Sequence, residues 1–220
     1  MRRDGARPSR STCRPRSRLP ITGPSLAGTS LIPDGGSTRS LWGQTDPAAY
    51  AVAVDGVAEV FREAMAGLCS GVAVVTAQRS NGEPCGLLAT SVSAFSAAPP
   101  SVLTSIGHAS RCHNALIEST EFGVHLLRAD QEALAHVFAD PVHEAKFEGL
   151  TWDWDAGVPE LGGVLAYLHC RRSALFELYD HSILIGDVTG GRRHPGEPLV
   201  YMDRRMDWRL ERGRGLPRGV

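Results

Sequence analysis

Three β-rich runs follow one another between residues 71 and 106, and no link between them is long enough for a helix. The first, GVAVVTAQ (71–78), is separated from the run at 85–92 by RSNGEP. Within that link, Asn81-Gly82 is the dipeptide best suited to a tight hairpin. Pro99-Pro100 then breaks the chain before a third run at 101–106. Strands joined by short links pair antiparallel, because a parallel pair needs a crossover of about a dozen residues or more. Four further runs, at 122–127, 164–172, 182–188 and 198–202, have the same β-rich character. The expected fold is therefore mainly β, an antiparallel barrel with a few peripheral α-helices. A doubly wound parallel sheet is excluded, since strands and helices do not alternate.

Helical periodicity is confined to three places. In DGVAEVFREAMAGL, Val57, Val60, Phe61, Ala64, Met65 and Leu68 recur at helical spacing, with Asp55 placed to cap. Ser110 is placed to cap a short helix through HNALIEST, and Asp130 a helix carrying Leu134, Val137 and Phe138 on one face. The segment DPVHEAKFEGLTWDWDAGVPE reads as an aromatic-bearing loop, in which Phe147 packs on the barrel and Trp152 and Trp154 serve packing or a dimer rim.

Residues 1–50 hold eight Arg and three Asp, are rich in Pro, Ser and Gly, and have no apolar period, which predicts a disordered N-terminal tail. The ordered domain is expected over 51–210, with a flexible tail over 211–220. A net charge of −1 gives no case for nucleic acid, and no apolar run is long enough for a membrane span. Five scattered cysteines without a CxxC pair argue against a disulfide framework or a zinc site and suit the cytoplasm. The histidines form no metal-ligand set: His108 and His113 flank a loop–helix junction, and His136 and His143 are separated by Pro141.

No phosphate-binding glycine loop, nucleophile elbow or HExxH motif is present. The chemistry-bearing segment is instead GLLATSVSAFSAAPPSVLTSI (86–106), uncharged but carrying seven hydroxyls. Buried hydroxyls need partners. On an extended strand Thr90 faces away from Ser91 and Ser93, so one ligand cannot meet them all. Ser93, Ser96 and Ser101 read as turn and edge residues.

Taken in order, FREAMAGLCSGVAVVTA, GLLATSVSAFSAAPPSVLTSI, SRCHNALIESTEFGVHLL, DQEALAHVFAD, KFEGLTW, GVPELGGVLAYLHC, DHSILIGDV and EPLVY resemble the flavin reductase family with an FMN-binding split β-barrel. These are the small reductase components of two-component flavin monooxygenases, and the resemblance spans roughly residues 57–210. It implies an antiparallel split barrel that binds FMN or FAD, takes NADH or NADPH as hydride donor, pairs as a homodimer and serves a partner monooxygenase. It also implies that Gly86, Leu87, Leu88, Ala89, Thr90 and Ser91 meet the flavin ring. Leu88 stands where Thr is usual and Thr90 where Asn is common, so contact there rests on backbone groups. Ser105, Ser110 and Arg111 correspond to the part holding the ribityl chain and phosphate, for which hydroxyls and a guanidinium are suited. Cys112 replaces a Thr there and is a poorer donor. Asp180 and His181 correspond to the pair near the nicotinamide face, and Tyr179 replaces the preceding Gly, at a cost if the turn demands positive φ.

Two other readings share the barrel. One is a flavin-binding electron carrier or sensor without reductase turnover. The other is a barrel binding a different planar ligand, such as pyridoxal phosphate or haem.

Overall fold

The computed structural model describes residues 56–141 and 145–211. The tail expected over 1–50, nearly all of that over 211–220, the cap Asp55 and His143 lie outside the described residues. In chain order the elements are α1 (Val57–Ala66), β1 (Ser70–Gly71), β2 (Ala73–Gln78), β3 (Pro84–Ala89), β4 (Ser93–Ala97) and β5 (Pro100–Gly107). They continue with α2 (His113–Glu118), β6 (Glu121–Leu126), α3 (Glu132–Ala139), β7 (Trp152–Asp155) and β8 (Val158–Leu161). The last are β9 (Ala166–Leu178), β10 (His181–Arg193) and β11 (Val200–Tyr201). Among the described residues none forms a helix long and apolar enough to cross a membrane.

Seven strands form one antiparallel sheet in the order β3-β2-β6-β9-β10-β5-β4. Its two edges, β3 and β4, are neighbours in sequence, joined only by residues 90–92. In a flat sheet those edges would lie about 29 Å apart, six spacings of about 4.8 Å. The link from Ala89 to Ser93 can reach at most about 14 Å. The sheet must therefore roll up until its edges approach. No hydrogen-bonded ladder joins β3 to β4 or β5, so the barrel is split along that line. The expected mainly antiparallel, split-barrel class is the one observed.

Side chains alternate between two apolar layers. On β2, Ala73, Val75 and Ala77 face the barrel interior with Val102, Ile106, Leu116, Phe122, Val124 and Leu184. Val72, just ahead of β2, and Val74 face outward into a second cluster with Leu127, Phe138, Phe147, Leu161 and Tyr167. That outer cluster is covered by α3 and by the β7–β8 hairpin, which the sequence reading had as loop. Its pattern WDWD…VPEL is too short and too acidic to signal a strand alone. It forms because Thr76 on β2 donates a 2.7 Å bond to the Pro159 carbonyl and Leu161 fills the outer layer.

Other boundaries differ from expectation: β9 runs on to Leu178 and β10 to Arg193, well past the ends expected at 172 and 188. The run at 85–92 ends at Ala89, and β4 is a separate strand whose residues are almost all exposed. Ser110 lies two residues before the N-cap: Cys112 occupies the N-cap of α2, and the Ser110 Oγ accepts the Cys112 N–H at 3.2 Å. Asp130 does not cap α3; it pairs with the Arg128 guanidinium, leaving Gln131 at the N-cap.

Among the described residues, His125 Nε2 is the buried side-chain nitrogen with no hydrogen-bond partner. The ring stacks on Tyr167 at 4.9 Å, and its Nδ1–H donates to the Val74 carbonyl at 3.1 Å. Burial pulls this imidazole down to about 4. The unfolded chain takes up the proton near pH 6.5, so between those values the unfolded state binds more protons and stability falls with falling pH. We expect a loss of roughly 3 kcal/mol from pH 6.5 to 4 attributable to this group. Urea unfolding of the wild-type chain and His125→Phe across that range checks it: the variant's pH slope is the shallower, and equal slopes exclude the assignment.

Candidate active site

The line where the barrel is split is also where the molecule is hollow. A cavity of about 1070 Å³ lies between β3 with residues 90–91 on one side and β5 with the 107–112 loop on the other. Volumes of this size stand at the top of the range for small-molecule sites. Phe138, Lys146 and Phe147 close its outer wall.

The wall from β3 is shaped by Gly86. A Cβ there would lie 2.6 Å from a ring carbon of Phe138, so only glycine lets α3 approach the strand this closely. Phe138 stacks edge-on against Phe147, and Phe147 against Trp152, with centroids 5.4 and 5.1 Å apart. Phe147 thus packs on the barrel, as expected, and also borders the cavity.

Leu88, Ala89, Thr90 and Ser91 all line the cavity, but their side chains are not equivalent. Ala89 is buried and Thr90 exposed. The Ser91 hydroxyl lies 3.1 Å from Thr104 Oγ1, donates to the Ser105 carbonyl at 3.0 Å and accepts the Ser105 N–H at 3.1 Å. It is thereby committed to holding the two walls together. The strict alternation expected for Thr90, Ser91 and Ser93 does not apply, because the strand has ended before Thr90.

Ser105, Ser110, Arg111 and Cys112 line the opposite wall. The loop carrying them is fixed from within, Ser110 N–H donating to the Gly107 carbonyl and His113 N–H to that of Ser110, both at 3.0 Å. It is also fixed from the neighbouring hairpin, where Arg79 donates to the Arg111 carbonyl at 3.1 Å. Arg79 itself lines the cavity, as does Lys146, whose ammonium donates to the Phe138 carbonyl at 2.9 Å. Burial holds the Lys146 ammonium below its ordinary range, while the neighbouring Cys112 acts in the opposite direction. Three cations, Arg79, Arg111 and Lys146, thus border this cavity.

The sequence reading missed Arg79 and Lys146. Arg79 sits in a turn that looks solvated in sequence. Lys146 carried a signal, as the one lysine against 22 arginines, adjacent to Phe147.

His181 lies at the cavity's edge, opposite Gly107 in the β5–β10 register; a Cβ on Gly107 would be 3.5 Å from its Nε2. Asp180 does not line the cavity. Its carboxylate accepts from His181 Nδ1–H at 2.8 Å, and the imidazole holds that carboxyl below the usual range. The bond fixes the tautomer, so Nε2 is the nitrogen turned toward Gly107. Tyr179, before this pair, has φ 56, the left-handed geometry that glycine adopts without strain.

Cys85 on β3 and Cys112 are free thiols that line the cavity and belong to one buried cluster. The neighbouring Cys85 thiol draws the Cys112 thiol below its ordinary range against the desolvating effect of burial, with Arg79 and Lys146 adding to the effect. Cys85 is pushed up, first by the neighbouring Cys112 and then by burial.

With this geometry in view, relationships to known proteins become informative. Residues 65–208 match the family model described as a flavin reductase like domain. The chain belongs to the flavin reductase family. It is 38% identical over 142 residues to the FMN reductase (NADH) SmoA of Agrobacterium fabrum, covering 64% of this chain and 80% of that one. The NADH:FAD oxidoreductase of Streptomyces globisporus, solved with NAD and FAD fragments, superposes with a TM-score of 0.67 at 32% identity, covering 74% of this chain and 99% of that one. The styrene monooxygenase flavin reductase of Pseudomonas putida S12 gives a TM-score of 0.61 at 28% identity, covering 66% and 93%.

The double tether of Ser91 predicts an asymmetry within this flavin reductase's hydroxyl segment. Ser91→Ala loses its bonds to β5 and is expected to lower unfolding free energy by about 1–2 kcal/mol. Thr90→Ala, at an exposed position, is expected to stay within about 0.5 kcal/mol of wild type. Urea midpoints for the two variants test the difference.

Proposed function

We propose that this chain is an NADH:flavin oxidoreductase that accepts FMN or FAD and supplies reduced flavin to a partner monooxygenase. The observation carrying this reading is a single cavity that meets backbone and hydroxyl groups along one wall, three cations at its border and an oriented imidazole at its edge. Two similarities support it further: to an NADH-dependent FMN reductase, and to an oxidoreductase solved with NAD and FAD fragments. Similarity to the flavin reductase of a styrene monooxygenase supports the oxygenase partner.

When both are bound, nicotinamide supplies a hydride and the flavin accepts it, so no protein acid or base is obligatory. The protein's task is positioning and exclusion of water. In this reading the backbone of Leu88, Ala89 and Thr90 meets the polar edge of the flavin ring. The Arg111 guanidinium, the Ser110 and Ser105 hydroxyls and the Arg79 and Lys146 charges hold the ribityl phosphate. His181, fixed by Asp180, bounds the nicotinamide side. Cys112 shapes the phosphate end as a wall residue.

The test crosses NADH and NADPH with FMN and FAD while following nicotinamide absorbance, beginning from protein whose own spectrum has been recorded. Flavin-dependent NADH oxidation is expected. Arg111→Ala is expected to raise the flavin KM by roughly tenfold or more, the loss of one charge-assisted bond. His181→Ala is expected to lower kcat/KM for NADH while leaving flavin affinity near wild type. A yellow protein without NADH oxidation would instead support the electron-carrier reading.

The homodimer is part of the same proposal. Helix α1 buries none of its residues, and Val60 and Phe61 are 67% and 61% exposed. Phe176, Leu178 and Tyr179 around the β9–β10 turn are similarly open. An apolar helix face left in water is a docking surface. Sedimentation is expected to give twice the 23.6 kDa of one chain, and Phe61→Asp is expected to shift it toward the monomer. We place the protein in the cytoplasm, in keeping with four free cysteines among the described residues.

A further inference from the structure

The loop that carries Ser110 and Arg111 is fastened from behind at both of its ends, and the two fastenings meet on one atom. His108 stands at the start of the loop, and His113 just past its end as the first residue of α2. The His113 Nε2 lies 2.8 Å from Ser182 Oγ, and the His108 Nε2 lies 3.2 Å from the same oxygen. The two rings meet edge-on with centroids 4.8 Å apart. Ser182 and His113 are buried, whereas His108 is exposed. All three stand behind the cavity wall rather than in it. A hydroxyl has one proton, so Ser182 cannot donate to both imidazoles. Asn114 Oδ1 accepts from His113 Nδ1–H at 3.4 Å, which leaves a lone pair on His113 Nε2. Ser182 therefore donates to His113 and accepts from His108 Nε2–H. The bonds run in one direction, from His108 through Ser182 and His113 to Asn114.

The same group reaches the other end of the cavity. Ser182 follows His181 on β10, and strand alternation turns Ser182 inward and His181 outward. The His108 N–H donates to the Asp180 carbonyl at 2.8 Å, and the Asp180 carboxylate fixes the His181 imidazole. Gly107, next to His108, is the residue that faces His181 across the β5–β10 register.

We infer that Ser182 is a positioning residue: it holds the 107–112 loop and the Asp180–His181 pair as one unit, so that the flavin and nicotinamide ends of the cavity share a frame. The inference rests on the flavin and nicotinamide roles proposed above. Without the Ser182 hydroxyl, His113 Nε2 keeps a buried lone pair with no donor, and the exposed His108 ring is free to turn into solvent. The start of the loop then loses its side-chain anchor, and its backbone bond to Asp180 is weakened. Every residue that touches a ligand remains, so the loss falls on alignment. This differs from the loss of a contact residue. Arg111→Ala is expected to act on the flavin KM and His181→Ala on NADH, whereas Ser182→Ala acts on both.

The experiment measures kcat and the KM values for flavin and NADH in the full-length wild-type chain, Ser182→Ala, His108→Ala, the double variant and Ser119→Ala. Urea midpoints establish that each is folded. Ser119 is the control, since its hydroxyl donates to the Glu121 carbonyl at 2.7 Å at the far end of α2. Ser182→Ala is expected to raise both KM values together, each about three- to tenfold, the loss of one hydrogen bond's alignment. His108→Ala is expected to raise both as well. The double variant is expected to be no worse than Ser182→Ala alone, because both changes break one chain of bonds. Ser119→Ala is expected to lower the urea midpoint and keep both KM values at wild type. Wild-type KM values in Ser182→Ala, a change in one KM only, additive effects in the double variant, or an equal change in Ser119→Ala would each overturn the inference. If Ser182→Ala does not fold, His108→Ala decides the matter, and unchanged KM values there overturn it. A wild-type chain that oxidises no NADH with either flavin overturns the flavin reading and this inference with it. A wild-type chain that turns over, with both single variants matching it, overturns this inference alone.

Discussion

The architecture depends on one short piece of chain. Residues 90–92 join the two edge strands of a seven-stranded sheet, and no flat arrangement of that sheet lets so short a link span its edges. Curling is thus a consequence of connectivity, before any side chain is considered. What side chains decide is how far the closure goes. β3 and β5 approach without forming a ladder, and the Ser91 hydroxyl, bonded to both backbone groups of Ser105 and to Thr104, bridges them. A complete ladder would fill the gap with backbone. A hydroxyl tether holds the walls in register and leaves a hollow with unpaired strand edges, which supply the donors and acceptors that a polar planar ligand needs.

The outer layer explains why the hollow has a fixed shape. β2 is buried on both faces, which couples the barrel interior to the cluster beneath α3 and the β7–β8 hairpin. Gly86 lets Phe138 sit against β3, and the edge-on series Phe138, Phe147 and Trp152 continues that contact to the hairpin. The cavity wall and the outer core are therefore one packed unit. A substitution at Trp152, remote from the hollow, would be felt at Phe147, which lines it.

Much of this was legible in the sequence, for reasons that differ by element. The strands β2, β5, β6, β9 and β10 were visible because burial enriches them in β-branched and apolar residues. The antiparallel class followed from link length alone. β4 was not visible as a separate strand, because Ser93–Ala97 is almost wholly exposed, Phe95 included, and is a strand only through its pairing with β5. The β7–β8 hairpin was missed for the same reason: it is held from outside, by Thr76 and the outer cluster, and its own residues carry no period. Around the site, the residues singled out from Leu88 to Cys112 lie in two stretches that the fold brings face to face, so chain order was a good guide. Arg79 and Lys146 belong to a turn and a loop whose positions depend on tertiary contacts with the Arg111 and Phe138 carbonyls.

Those two side chains also account for the electrostatics of the cavity. Confined cations without an anion between them would be costly in a partly desolvated space. Glu83 lines the same cavity and Asp140 acts on Lys146, and the Cys112 thiol is itself lowered because Cys85 and the cations favour its anion. A phosphate entering the cavity would take over that role from outside. An anion bound there and an ionised Cys112 would compete for the same positive charges, so each would weaken the hold on the other.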